Sequence, residues 1–576
     1  MPYFSAKKII AAAVQKHFAN PELTEEKVFA EISTPPNLEL GHFAFPCFRF
    51  AKLMGMPAGK VAIDASKTLV VPGMVVSASG PYLNFKFVPQ ELYRTLTAEI
   101  LAQRNKYGSD QSGDGLKVVL EYCSPNIAKR LGFQHIRSTL IGNTLANVYD
   151  FLGYSTERIN FVGDWGSQFA RLLAAFEMWG KKERLDKNNV IASMDHLLEI
   201  YVRFHKEMES QPELLERAGQ CLQRLEKNDP KTRELWSLVR EISLLSMEAT
   251  LKRMQIRFHH VEGESHYTTD VEQTLKEIKE KADAKLSEGA WIVELPEVPV
   301  PALIQKRDGT TLYLTRDISA AIDRYQRFQF AKCIYVVSEQ QRLHFQQLFG
   351  VVSKMGNPWG KACEHVSFGT VLFGSEKMST REGRVIFLDA ILDEAKNLAL
   401  EECTTKNPGL KNKEQVAEMV GVGAVIFGNL SSHRMRDIQF DWKQVLAFDG
   451  ETGPYVQYST VRCRSLIEKA GIDSKTFKPY AIEATHPIAA EEEALLLTLS
   501  RFRAILRQTV DENDPYYVTS FLIDLAKAFN RFYYRFPVLQ ASDGASKEMR
   551  LTLVVCTEIV FTTGLSLLGI QCPSEM

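Results

Sequence analysis

Residues 121–138, EYCSPNIAKRLGFQHIRS, constrain this chain most, because an apolar strand there passes through a polar turn into the start of a helix. Residues 117–122 are rich in β-formers and stop at the breaker Ser124-Pro125-Asn126. Ile141, Leu145, Val148 and Leu152 then recur at helical spacing, Gly153 punctuates, and a second strand is predicted over 157–162. The unit is β-α-β, half of a doubly wound parallel sheet. Free backbone N–H groups and the helix dipole make such a helix start attractive to anions, so a nucleotide phosphate fits there. On topology alone, an ordinary capped turn fits as well.

At 576 residues the chain exceeds one core, so several domains are expected. Its 69 basic and 70 acidic side chains leave no global field to gather nucleic acid, and any RNA site has to be a local basic patch. The nine cysteines show no Cys-x-x-Cys pair, which argues against a zinc ribbon or a disulfide framework and for a reducing cytoplasm. Ile9, Ile10, Val14 and His17 suit an amphipathic helix better than a signal peptide. The apolar stretch 551–570 carries Glu558 and several threonines and reads as a packed helix, not a membrane span.

Four regions follow from the patterning. Residues 1–112 mix short helices with strands near 75–87. Residues 113–395 carry the βα alternation, interrupted at about 172–256 by charged amphipathic helices whose charge runs read as solvated faces. A helical connector is expected over 396–440 and a helical bundle over 441–576. The fold class is thus multidomain α/β, with a Rossmann-type parallel-sheet domain, an α+β N-terminal domain and an all-α C-terminal domain. In the bundle, residues 529–536 (FNRFYYRF) interleave cations with aromatics, as single-stranded RNA binding requires; core packing is the alternative for each ring.

The 121–138 segment resembles the signature region of class I aminoacyl-tRNA synthetases, specifically the arginyl-tRNA synthetases, where a Ser-Pro-Asn-x-Ala-Lys turn leads into "HIGH" and then Arg-Ser. Further matches run in family order: GDWGSQFA (163–170), EGES (262–265), LYLTRDISAAIDRY (312–325), YVVSEQQRLH (335–344), KMSTREG (377–383), LAFDGETGPYVQYSTVR (446–462) and GLSLLGI (564–570). The resemblance implies ATP-dependent ligation of L-arginine to tRNA(Arg) through arginyl-adenylate, with Mg2+ arriving on ATP. A monomer with no membrane or DNA partner is expected, although the sequence does not fix the oligomeric state.

Residue roles follow from the same resemblance. Glu121, Tyr313 and Asp317 would hold the guanidinium, which has five donors in a fixed fork and never loses its charge. Asn126, Glu264 and Gln341 would hold the α-amino and carboxylate ends. Lys129, His135, Lys377 and Arg381 would serve the triphosphate, with Gly132, Gln134 and Ser379 also at ATP. Tyr82 and Asn84 would meet the tRNA elbow; Tyr455, Arg531, Tyr534 and Arg535 would meet the anticodon stem-loop. For Asp317, a helix N-cap and an ion pair with Arg316 are the local alternatives.

One departure stands out. Where the family has His-x-Gly-His, this chain has Gly132-Phe133-Gln134-His135, losing the first histidine and the glycine that lets adenine approach the backbone. In the KMSK-like loop, Thr380 replaces the second lysine. Weakened adenylation is expected, and a non-catalytic tRNA- or arginine-binding paralogue is the alternative function.

Overall fold

The structure, a computed structural model, describes residues 3–576 apart from Pro21, Leu38, Thr269, Thr310, 374–385, Phe448 and Ser542. Its centre is a five-stranded parallel sheet of β1 (Lys117–Glu121), β2 (Ser155–Val162), β3 (His260–Gly263), β4 (Lys332–Tyr335) and β5 (Cys363–His365). The strands lie in the order β5-β4-β1-β2-β3, every neighbouring pair parallel. The chain walks from β1 outward to β3, then returns past β1 to lay down β4 and β5. The strand order therefore reverses between β1 and β4, where open α/β sheets leave a crevice at their carboxyl ends.

Pleating explains why β1 is a nearly unbroken apolar run. Val118 and Leu120 enter the larger core, which includes Leu140 and Leu145 of helix α1 (Ile136–Phe151). Val119 enters a second core, with Ile318 of α2 (Tyr313–Phe328) and Leu348 of α3 (Arg342–Lys354). Helix α1 starts five residues before the periodicity at Ile141 suggests, because Ile136–Leu140, with polar Arg137, Ser138 and Thr139, is buried on every side and shows no apolar repeat. Gly153, at φ +82°, turns the chain after it.

The charged stretch forms helices Val190–Met208, Glu213–Glu226 and Pro230–Arg253. An antiparallel sheet of Lys285–Ser287, Ala290–Val293 and Ala302–Gln305 was not anticipated. Its first hairpin turns on Glu288 and Gly289, both at positive φ, as a two-residue turn requires. The connector helices Leu388–Lys406 and Lys413–Leu430 are followed by a short strand, Ile438–Phe440, parallel to Val371–Phe373. The connector is therefore not wholly helical.

Near the N-terminus, Tyr82–Phe87 is the middle strand of an antiparallel sheet with Phe43–Pro46 and Met74–Ser79. The C-terminal bundle includes α4 (Gly453–Lys469), α5 (Tyr516–Arg535) and α6 (Gly544–Leu567). Helix α6 is long and apolar enough to cross a membrane, yet 78% of its apolar window is buried within the protein.

Candidate functional site

Strand β1 ends at Glu121, and the next two residues but one, Cys123 and Ser124, sit at φ +72° and +44°. Non-glycine residues rarely adopt the left-handed region, and such strain collects at functional turns. The surroundings hold it in place. Cys123 N–H donates to Ser138 Oγ at 2.9 Å, and that hydroxyl donates to the Val336 carbonyl at 2.6 Å. Ser124 N–H donates to Asn160 Oδ1 at 3.1 Å. One serine thus sews together the end of β1, the first turn of α1 and the end of β4.

Two cavities meet at this seam. The first, 380 Å³, is lined by Glu121, Asn126, Glu264, Tyr313, Asp317 and Gln341, so all six residues expected around arginine come together. Asp317 is not a cap. Helix α2 is capped at Leu312, and Asp317 lies one turn inside it on the same face as Tyr313. Nor does Asp317 pair with Arg316, which reaches Glu264 at 2.8 Å. Asp317 Oδ2 instead meets His344 Nε2 at 2.7 Å, while Tyr313, 56% exposed, stands at the rim.

His344 and Arg324 line the cavity and were missed in the sequence. Arg324 follows Asp317 by seven residues, two helical turns, and His344 follows Gln341 by three, so spacing alone places each on its neighbour's face. Burial lowers the proton affinity of His344, but the bond to Asp317 and the charges of Asp317 and Glu121 outweigh it, and the net direction is up.

Glu264 is pushed up to about 7, first by burial and then by Asp317 and Asp164, against the pull of Arg316. If Glu264 receives the α-ammonium group, as the resemblance implies, it must be ionised, and here ionisation is completed only above neutrality. Arginine affinity is therefore expected to fall about tenfold from pH 8 to pH 6, as one proton competes for the site. Glu264→Gln should flatten that slope. Calorimetric titration at the two pH values checks it, and a flat wild-type profile would remove Glu264 from the site.

The second cavity, 490 Å³, is lined by Gln134, His135, Arg137, Ser138, Gln340 and the 368–371 segment, and shares Ser124 and Val337 with the first. Phe133–His135 forms a single 3₁₀ turn leading into α1. His135 Nδ1 lies 3.2 Å from the Gly132 carbonyl. Loss of water around the ring, and then the nearby Lys129 charge, take His135 down to about 4, although the Gly132 bond opposes them, so the imidazole is neutral at pH 7. Half-buried Lys129 and buried Gly132 do not line the cavity. Lys377, Ser379 and Arg381 lie outside the described residues.

Gln134 folds back over Gly132: a Cβ at Gly132 would lie 2.3 Å from Gln134 Oε1. The two departures from the family motif are thus in contact. Gly132→His alone only has to push aside the exposed end of the Gln134 side chain and should change adenylation little, whereas Gly132→His with Gln134→Gly should raise it by up to about 10²-fold, the scale of one group aimed at the transition state. Pyrophosphate exchange measures both; no gain in the double variant would show that the rebuilt turn already does the work of the missing histidine.

The expected RNA contacts divide by exposure. Tyr82 is 38% exposed, edge-on to Phe48 with ring centres 5.9 Å apart, whereas Asn84 on the same strand face is 2% exposed. The Asn84 amide is covered and does not present itself to a base beside Tyr82. In the bundle, Tyr455, Arg531, Tyr534 and Arg535 line one open 550 Å³ hollow. Phe529 and Phe532 are fully buried, but Tyr534 is 75% exposed, with the Arg462 guanidinium 5.3 Å from its ring. Core packing therefore claims the phenylalanines and leaves Tyr534 at the surface.

A doubly wound sheet with a paired cleft at its switch point, a helical insertion and a helical C-terminal bundle is the layout of a class I aminoacyl-tRNA synthetase, and the comparisons agree. The family model "tRNA synthetases class I (R), catalytic domain" matches residues 96–442. "DALR anticodon binding domain" matches 456–576, and "Arginyl tRNA synthetase N terminal domain" matches 5–87. The arginine–tRNA ligase of Clostridioides difficile is 40% identical over 559 residues, 96% of this chain and 97% of that protein. That of Clostridium perfringens is 38% identical, covering 99% and 100%. The solved Thermus thermophilus arginyl-tRNA synthetase superposes with a TM-score of 0.82 at 25% identity, with both chains covered completely. The chain belongs to the arginyl-tRNA synthetase family.

Proposed function

We propose that the 380 Å³ cavity takes the arginine side chain, that the adjoining 490 Å³ cavity takes ATP, and that Ser124 and Val337 mark where their reacting ends meet. The reaction is ATP-dependent ligation of L-arginine to tRNA through arginyl-adenylate. No observation favours a binding-only paralogue. The observation that carries the residue assignment is the convergence of Glu121, Asp317 and Glu264 on one cavity at the end of the parallel sheet. Carboxylates in a confined site suit a substrate that brings both a guanidinium and an ammonium.

In this reading Glu121 and Asp317 receive the guanidinium under the Tyr313 ring, and Glu264, Asn126 and Gln341 orient the α-amino and carboxylate groups. The carboxylate then attacks the α-phosphate in line, pyrophosphate leaves past His135, and the tRNA terminal hydroxyl displaces AMP. Lys129, Lys377 and Arg381 supply positive charge, and Mg2+ accompanies ATP. Residues 1–112 bind the tRNA elbow, 113–395 hold the chemistry, 396–440 connect, and 441–576 bind the anticodon stem-loop. The working form is a cytoplasmic monomer.

Charging of tRNA with radiolabelled arginine, in competition with the other amino acids, tests the reading. The RNA arm is separately testable. Tyr534→Ala should weaken tRNA binding by about 1–3 kcal/mol if a base stacks on the ring, with the melting temperature unchanged because the ring is exposed. Lost stability at unchanged tRNA affinity would return Tyr534 to a packing role.

A further inference from the structure

Arg324 lines the arginine cavity but is itself 1% exposed. A fully buried arginine facing a site for arginine calls for a reason. Its Nη1 donates to Glu121 Oε2 at 2.5 Å, and its guanidinium carbon lies 5.2 Å from the Phe161 ring and 5.6 Å from the Tyr335 ring. Nε is 3.9 Å from Glu262 Oε2, and among the described residues neither Nε nor Nη2 finds an acceptor within hydrogen-bond distance.

Arginine–carboxylate pairs are frequently two-pronged, with both carboxylate oxygens bound to the guanidinium fork. This one is end-on. Among the described residues Glu121 Oε1 has only the Ser124 hydroxyl, at 3.5 Å, and it remains available to the cavity that Glu121 lines. We propose that Arg324 is a positioning residue for arginine selection: it holds one oxygen of Glu121 so that the other is presented to the substrate guanidinium. The inference rests on reading the 380 Å³ cavity as the arginine site.

The charges around Glu121 explain why such a group is needed. Burial raises its proton affinity most; Asp317 on α2 and Glu262 on β3 raise it further, and Arg324 is the strongest opposing charge. Tyr335 on β4 and His344 on α3 also face this cluster. The net direction is up even with Arg324 in place, so without it Glu121 holds its proton to still higher pH, and a protonated Glu121 offers a proton where the substrate also offers one. Discrimination between arginine and its neutral urea isostere, L-citrulline, would then collapse, because only an ionised acceptor prefers the cation.

The test uses the full-length protein and calorimetric affinities for L-arginine and L-citrulline at pH 6 and pH 8. Arg324→Met should cut the arginine-to-citrulline preference by at least about tenfold at pH 6, with partial recovery at pH 8 and ATP affinity unchanged. Equal weakening of both ligands, or a loss that ignores pH, would assign Arg324 to packing and overturn the proposal. If Arg324→Met does not fold, Arg324→Lys carries the test, because its ammonium keeps the charge on a stem that cannot repeat the guanidinium's bond. It should lower the preference by about fivefold, and an unchanged preference overturns the proposal. A wild-type protein that binds both ligands alike, with Asp317→Asn changing neither, would instead show that the cavity was misread.

Discussion

Asp317→Ala should lower kcat/KM for arginine by about 3–5 kcal/mol, the cost of leaving one partner of a desolvated ion pair without the other, which is roughly 10²–10⁴-fold. The residue stands inside α2, where it caps nothing, and it bonds His344 at 2.7 Å. The fold should survive its removal, since the core beside it is built from Leu314, Ile318 and Ala321. Steady-state kinetics in arginine, with a melting curve alongside, checks both halves. A change under about fivefold, with the protein folded, would place the guanidinium elsewhere.

His135→Ala should reduce the rate of pyrophosphate exchange by about 10²–10³, the effect of losing one preorganised group aimed at developing charge. The imidazole is neutral in the free protein, held down to about 4 mainly by loss of water around the ring. A triphosphate beside that ring would raise its proton affinity from this low value. Arginine affinity should be unaffected, because His135 lines only the second cavity. A variant that exchanges at the wild-type rate would leave the leaving group to the other cations.

The β-α-β unit was legible in the sequence because each of its signals is local: an apolar run, a Pro breaker, a helical repeat and a glycine stop. The six cavity residues were legible through family motifs, and the cavity gathers them although they span positions 121 to 341. Arg324 was hidden for a physical reason. Its charged neighbours Asp323 and Arg327 give no local mark of burial, and the long-range placing of α2 and β4 beside β1 sets it against Glu121. The same long-range packing sends Arg316 to Glu264 rather than to the adjacent Asp317. The sheet over 285–305 went unread because its strands are only three or four residues long and show little alternation. In 529–536 the pattern could not separate base-stacking rings from core rings, since both recur at helical spacing. Burial divides them, with Phe529 and Phe532 inside and Tyr534 outside.

The most direct measurement of the central claim is ATP–pyrophosphate exchange by the full-length protein with arginine, in the presence of tRNA, across wild type, Asp317→Ala and His135→Ala. Arginine-dependent exchange is expected in the wild type, with a raised arginine KM in Asp317→Ala and a lowered kcat at unchanged arginine affinity in His135→Ala. Exchange supported equally by citrulline or lysine, or absent altogether while tRNA still binds, would contradict it.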